Sequence, residues 1–154
     1  MAELRPILLV EDSARDVELT LAALAKCQLA NEVVVVRDGA EALDYLYSKG
    51  AFAQREPGEP AVVLLDLKLP KIDGLEVLEK IKKDEDLRPI PVVMLTSSRE
   101  ERDLVASYQR GVNAFVVKPV DFQEFFEAIQ ELGMFWAILN EPPPPGARRS
   151  AVGK

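Results

Sequence analysis

The chain has 154 residues, 48% of them hydrophobic and 29% charged, which suits one domain whose own apolar core needs no disulfide or structural metal. A formal net charge of −7 repels phosphate backbones and anionic lipid heads, so neither nucleic acid nor a membrane surface is an expected partner. The absence of histidine excludes imidazole bases and histidine-ligated zinc; the single cysteine, Cys27, excludes an intrachain disulfide and reads as a small buried apolar residue.

Met1-Ala2-Glu3-Leu4-Arg5 lacks the basic start and apolar core of a signal peptide. No apolar run approaches the ~20 residues of a membrane span, and a cytoplasmic location is expected. Ile7-Leu8-Leu9-Val10 is then the first of five short apolar runs. It leads into Ser13-x-x-Asp16, a helix start, with Val17, Leu21 and Leu24 on one helical face. Val33-Val34-Val35-Val36 precedes a second start, Asp38-x-x-Glu41, and residues 49–60, with Gly50, Pro57, Gly58 and Pro60, read as a longer surface loop. Val62-Val63-Leu64-Leu65 precedes Asp73-x-x-Glu76 and the apolar face Leu75, Leu78, Ile81. Val92-Val93-Met94-Leu95 precedes Ser98-x-x-Glu101, whose helix Gly111 is placed to end. Ala114-Phe115-Val116-Val117 precedes Asp121-x-x-Glu124, and Phe122, Phe125, Phe126, Ile129 and Leu132 are expected to face inward.

Because the runs do not alternate apolar with polar residues, they fit parallel strands buried on both faces. The acids in the helix starts are expected to reach back to the cap or oppose the helix dipole. Strand and helix repeated five times predict an α/β fold: a five-stranded parallel sheet, doubly wound, in the flavodoxin-like order 2-1-3-4-5. Residues 1–140 form this domain. Residues 141–154, with Pro142-Pro143-Pro144-Pro145-Gly146, read as an extended or disordered tail.

Ligands of such sheets bind beyond the carboxyl ends of the strands. There the chain places Glu11 and Asp12, Asp66, Thr96 and Ser97, and Lys118 followed by Pro119. Arg37 and Asp38, after the edge strand, join no such set. Three close carboxylates need a counter-ion, and a hard, oxygen-rich site suits Mg²⁺. Lys118 adds a second positive charge, completing an electrostatic clamp for a transferring phosphoryl group. Each residue alone has a plainer reading, Asp12 as a helix cap and Thr96 as a local hydrogen-bonder; their convergence on one sheet edge favours a site.

In this order, Glu11-Asp12, Asp66-Leu67-Lys68-Leu69-Pro70 with Asp73-Gly74, Thr96-Ser97 and Lys118-Pro119 resemble the receiver domains of two-component response regulators over roughly residues 5–139. The resemblance implies that Asp66 takes a phosphoryl group from a histidine kinase, the chain catalysing only its own phosphorylation and dephosphorylation. It also implies that Asp12 binds Mg²⁺ directly and Glu11 through water, that the Lys68 backbone carbonyl is a further ligand, and that Lys118 pairs with Asp66. Thr96 and Phe115 are the implied switch pair, and the peptide before Pro119 is expected to be cis. Phe115 lacks the hydroxyl of the tyrosine common at its position, and Lys68 occupies a position that helps set acyl-phosphate lifetime in the family. No output domain is recognisable after the receiver pattern.

Met134, Phe135, Trp136, Ile138 and Leu139 continue the last helix with more apolar surface than one face needs. They predict a homodimer with Phe135, Trp136 and Leu139 at its interface. With the 49–60 loop, this extension is similar to the single-domain regulators that partner bacterial phytochrome histidine kinases. A haloacid-dehalogenase-type hydrolase would want an acid where Lys68 stands. A flavodoxin-like binding module would want a glycine- or hydroxyl-rich turn where Glu11-Asp12-Ser13 stands. A degenerate receiver acting as a scaffold would lack one of the chemical residues.

Overall fold

The computed structural model describes residues 5–27, 31–56, 58–98 and 114–131. Five parallel strands, β1 (Ile7–Val10), β2 (Val33–Val36), β3 (Val62–Asp66), β4 (Val92–Thr96) and β5 (Ala114–Val117), form one sheet in the order β2-β1-β3-β4-β5. β1 lies between β2 and β3 and pairs Ile7 with both Val33 and Val62. The helices are α1 (Ala14–Lys26), α2 (Gly39–Tyr47), α3 (Gly74–Lys83) and α4 (Phe122–Glu131), and a 3₁₀ turn, Gly50–Phe52, opens the 49–60 loop.

Strand side chains alternate between faces, and here both faces are covered. Ile7, Leu9, Leu64, Leu95 and Val116 join a core with α1 and α4, while Leu8, Val10, Leu65 and Met94 join a second core with α2 and α3. β1, β3 and β4 are accordingly buried throughout, and the edge strands β2 and β5 are partly exposed. That is why the runs read as continuously apolar.

The helix starts at Ser13, Asp38, Asp73 and Asp121 form as expected, each side chain accepting from the backbone N–H three residues on, at 3.2, 2.7, 3.0 and 3.1 Å. Ser98-x-x-Glu101 and Gly111 lie largely outside the described residues, as do Leu132, Phe135, Trp136, Leu139 and the 141–154 tail. Cys27 is buried at the end of α1.

Two expectations about helix faces are corrected. Leu21 is exposed, and Thr20 is buried beside Val17, Ala23 and Leu24; at ~100° per residue Leu21 lies roughly 90° from the centre of that buried stripe. Phe122 is exposed whereas Phe125 is buried. A helical side chain covers the turn N-terminal to its own Cα, and Phe122, as the first residue of α4, has no such turn beneath it; its ring meets Phe126 at 6.1 Å between centroids.

Candidate functional site

The strands end on the residues that matter. Asp66 and Thr96 are the last residues of β3 and β4 rather than the first beyond them. The Glu11 N–H donates to Val36 O at 3.0 Å, prolonging the β1–β2 pairing by one step. Leu67 N–H donates to Leu95 O at 3.0 Å, and Lys118 N–H to Thr96 O at 2.6 Å. Main-chain bonds between neighbouring strands thus draw all four polar positions to one edge, and the Lys118–Pro119 peptide is cis.

The loop after Asp66 is held from both sides. Gly74 N–H donates to Leu67 O at 2.9 Å, and a Cβ at Gly74 would lie 2.2 Å from Asp66 O, so only glycine lets α3 start this close to the phosphoacceptor candidate. Lys68 N–H points back at Asp66 Oδ1, 3.4 Å away. Asp38 stands apart from the carboxylate group, as expected; it caps α2 and pairs with Lys71 of this loop at 3.4 Å.

Glu11, Asp12 and Asp66 each offer a carboxylate oxygen, all within 4.8 Å of one another. Glu11 is 0% exposed and Asp66 3%, and Asp12 is open to solvent. Burial, then the Asp66 charge, pushes the Glu11 carboxyl from 4.5 up to about 7. Burial also raises Asp66, against the opposing pull of Glu11, Lys118 and the Lys68 N–H. Anionic oxygens packed this tightly in a low-dielectric pocket fit a divalent cation: three hard ligands converge from the carboxyl ends of β1 and β3, with the outer one open to water.

Lys118 is the counter-charge within the protein. Its Nζ donates to Glu11 Oε1 at 3.1 Å, Asp16 Oδ2 at 3.0 Å and Asp66 Oδ2 at 3.2 Å. Burial favours the neutral amine, but it is outweighed by these carboxylates, Asp16 foremost, which raise the Lys118 pKa. Thr96 is fully buried, and its Oγ1 has no hydrogen-bond partner among the described residues. It shares strand parity with Met94, whose register partner is Phe115. Thr96 and Phe115 therefore lie on the same face of the sheet, where half-buried Phe115 packs on the α2/α3 core.

Asp16 is the site residue that sequence reasoning missed, because it was counted as the acid of a capping box. One signal was available: capping boxes use Glu or Gln to reach back to the cap, and Asp is a methylene shorter. Glu41 and Glu124 also turn elsewhere, accepting from Arg37 N–H at 2.7 Å and Val117 N–H at 2.9 Å.

Residues 7–130 match the family profile of the response regulator receiver domain. This chain belongs to that family. Response regulator Rcp1 of Synechocystis sp. is 42% identical over 130 residues, 84% of this chain and 87% of that protein. The bacteriophytochrome response regulator AtBRR is 73% identical, with a TM-score of 0.86, covering 91% of this chain and 100% of its own. The structure of the phosphorylated cyanobacterial phytochrome response regulator RcpA is 42% identical, with a TM-score of 0.70, covering 87% and 94%. Rcp1 has been solved in a Mn²⁺-bound form (39% identical, TM-score 0.69, covering 92% and 99%). The protein is therefore a receiver-type response regulator related to the phytochrome response regulators, with an acidic cluster suited to a divalent ion. No described helix is long and apolar enough to cross a membrane.

Proposed function

We propose that the protein accepts a phosphoryl group on Asp66 from the phosphohistidine of a partner kinase. The observation that carries this is the buried Asp66 carboxylate held between the Glu11–Asp12 pair and the Lys118 ammonium. In the step, an Asp66 carboxylate oxygen bonds phosphorus as the phosphorus–nitrogen bond to the donor imidazole breaks. The imidazole keeps the electron pair, and Asp66 becomes an acyl phosphate. The 154 residues contain no histidine, so the phosphohistidine donor lies outside them. Lys118 exchanges its Asp66 oxygen for a phosphoryl oxygen and offsets the charge there. Thr96, whose hydroxyl has no partner among the described residues, turns to donate to the phosphoryl group, and Phe115 on the same face follows, converting a charge change into a change of surface.

Mg²⁺ is the proposed ion, held by Glu11, Asp12, Asp66 and the Lys68 backbone carbonyl; when bound it neutralises carboxylate and phosphoryl charge. Incubation with Mg²⁺ and acetyl phosphate, read by intact mass, is expected to give a phosphoryl adduct that is absent in Asp66→Asn and absent with chelator. A parent without an adduct under these conditions would refute the proposal.

The donor we infer is a bacterial phytochrome histidine kinase in the cytoplasm, by kinship with AtBRR and RcpA. Transfer from an autophosphorylated kinase of that class is the expected outcome, and none from any such kinase the contrary one. We further propose a receiver domain ending at residue 140 and a homodimer built on Phe135, Trp136 and Leu139. Deletion of residues 141–154 should leave adduct formation and thermal midpoint unchanged, and Trp136→Ala should shift sedimentation to monomer.

A further inference from the structure

Lys118 is drawn by three carboxylates, and they are not equivalent. An ammonium has three N–H donors, and the Glu11, Asp16 and Asp66 contacts at 3.1, 3.0 and 3.2 Å use all of them. Asp66 surrenders its negative charge when its oxygen bonds phosphorus. Glu11 belongs to the carboxylate group that converges within 4.8 Å, whereas Asp16 lies outside it. Of the three, Asp16 alone neither reacts nor belongs to the cation-binding group.

It is also a fixed point. Its backbone N–H donates to the capping Ser13 Oγ at 3.2 Å, and the next residue, Val17, is buried in the core against the sheet. Lysine has a flexible stem with many accessible rotamers, and the Lys118 side chain is only 12% exposed. A rigid acceptor that remains in place lets the ammonium pivot from the Asp66 oxygen to a phosphoryl oxygen without a search.

We propose that Asp16 is the positioning residue for Lys118, holding its ammonium at the phosphoacceptor before, during and after phosphoryl transfer. The inference rests on the phosphoryl-transfer reading of the site. The rival explanation is that Asp16 merely opposes the α1 dipole, a role that depends on its charge and not on Lys118.

The test follows the rate of adduct formation from acetyl phosphate at saturating Mg²⁺, by intact mass, with thermal unfolding as a check on folding. Asp16→Ala is expected to slow uptake about tenfold. Asp16→Asn keeps an acceptor oxygen and is expected to stay within about threefold of the parent. In a Lys118→Met background, Asp16→Ala should have no further effect, as expected of a residue that acts only through Lys118. Equal losses in Asp16→Asn and Asp16→Ala, or the same fold-loss with and without Lys118, would assign the effect to the helix end and overturn the proposal. A change below twofold in Asp16→Ala would overturn it too, leaving the phosphoryl-transfer reading intact. A parent that forms no adduct removes both.

Discussion

Thr96 and Glu11 carry opposite kinds of cost, and each is measurable. A buried hydroxyl without a partner costs roughly 1–3 kcal/mol, so the Thr96 Oγ1, which has none among the described residues, is expected to destabilise the unphosphorylated protein. Thr96→Val, nearly isosteric, should raise stability by about 1 kcal/mol, or ~2–4 °C in thermal midpoint, while weakening the response to beryllofluoride. Glu11 has its folded pKa raised from 4.5 to about 7 by burial and by Asp66. The folded state then holds the proton more tightly than the unfolded state. Its contribution is fully present below about pH 4.5 and is lost as pH rises through about 7. In chelator, Glu11→Gln should therefore gain stability relative to the parent across that window, on the order of 1–3 kcal/mol at pH 8. Denaturant titrations at pH 5 and pH 8 measure this, and a variant-to-parent difference independent of pH would contradict it.

The elements place these side chains through close backbone contacts. Gly74 begins α3 against Asp66 O, and an added Cβ would meet that carbonyl at 2.2 Å and Leu67 Cα at 2.8 Å. Glycine to alanine inside a helix ordinarily stabilises by up to ~1 kcal/mol; here Gly74→Ala should destabilise by about 2–4 kcal/mol and impair phosphoryl uptake, because the atoms in the way are backbone. α4 supplies a contrast between neighbours. Phe125 is 1% exposed and Phe122 is 37% exposed. Phe125→Ala should cost about 3–5 kcal/mol and Phe122→Ala less than about 1 kcal/mol, measured as shifts in denaturant midpoint.

For the whole molecule, an ion held by the acidic cluster would couple binding to folding. A ligand at about a hundredfold its Kd that binds only the folded state stabilises it by ~2.7 kcal/mol, or about 5–10 °C for a chain of this size. Because the cation competes with the proton that Glu11 retains up to about pH 7, Mg²⁺ should raise the thermal midpoint more at pH 8 than at pH 5.5. Equal shifts at both values would show that Glu11 takes no part in holding the ion.

How much of this was legible beforehand depends on the range of the interaction. Each apolar run lies in a strand, and each described cap sits at Ser13, Asp38, Asp73 or Asp121, because strand burial and N-capping are written within a few consecutive residues. The strand order followed from connection rules, and Glu11, Asp12, Asp66, Thr96 and Lys118 followed from it, since a parallel sheet brings its carboxyl ends to one edge. The destination of a side chain that leaves its own element was not legible. Asp16 has the spacing of a cap acid yet bonds a lysine 102 residues away; Leu21 and Phe122 have core spacing yet face water. A local pattern specifies which residues share a face. Only the packed structure decides which part of that face meets another element, and which charge, distant in the chain, is nearest in space.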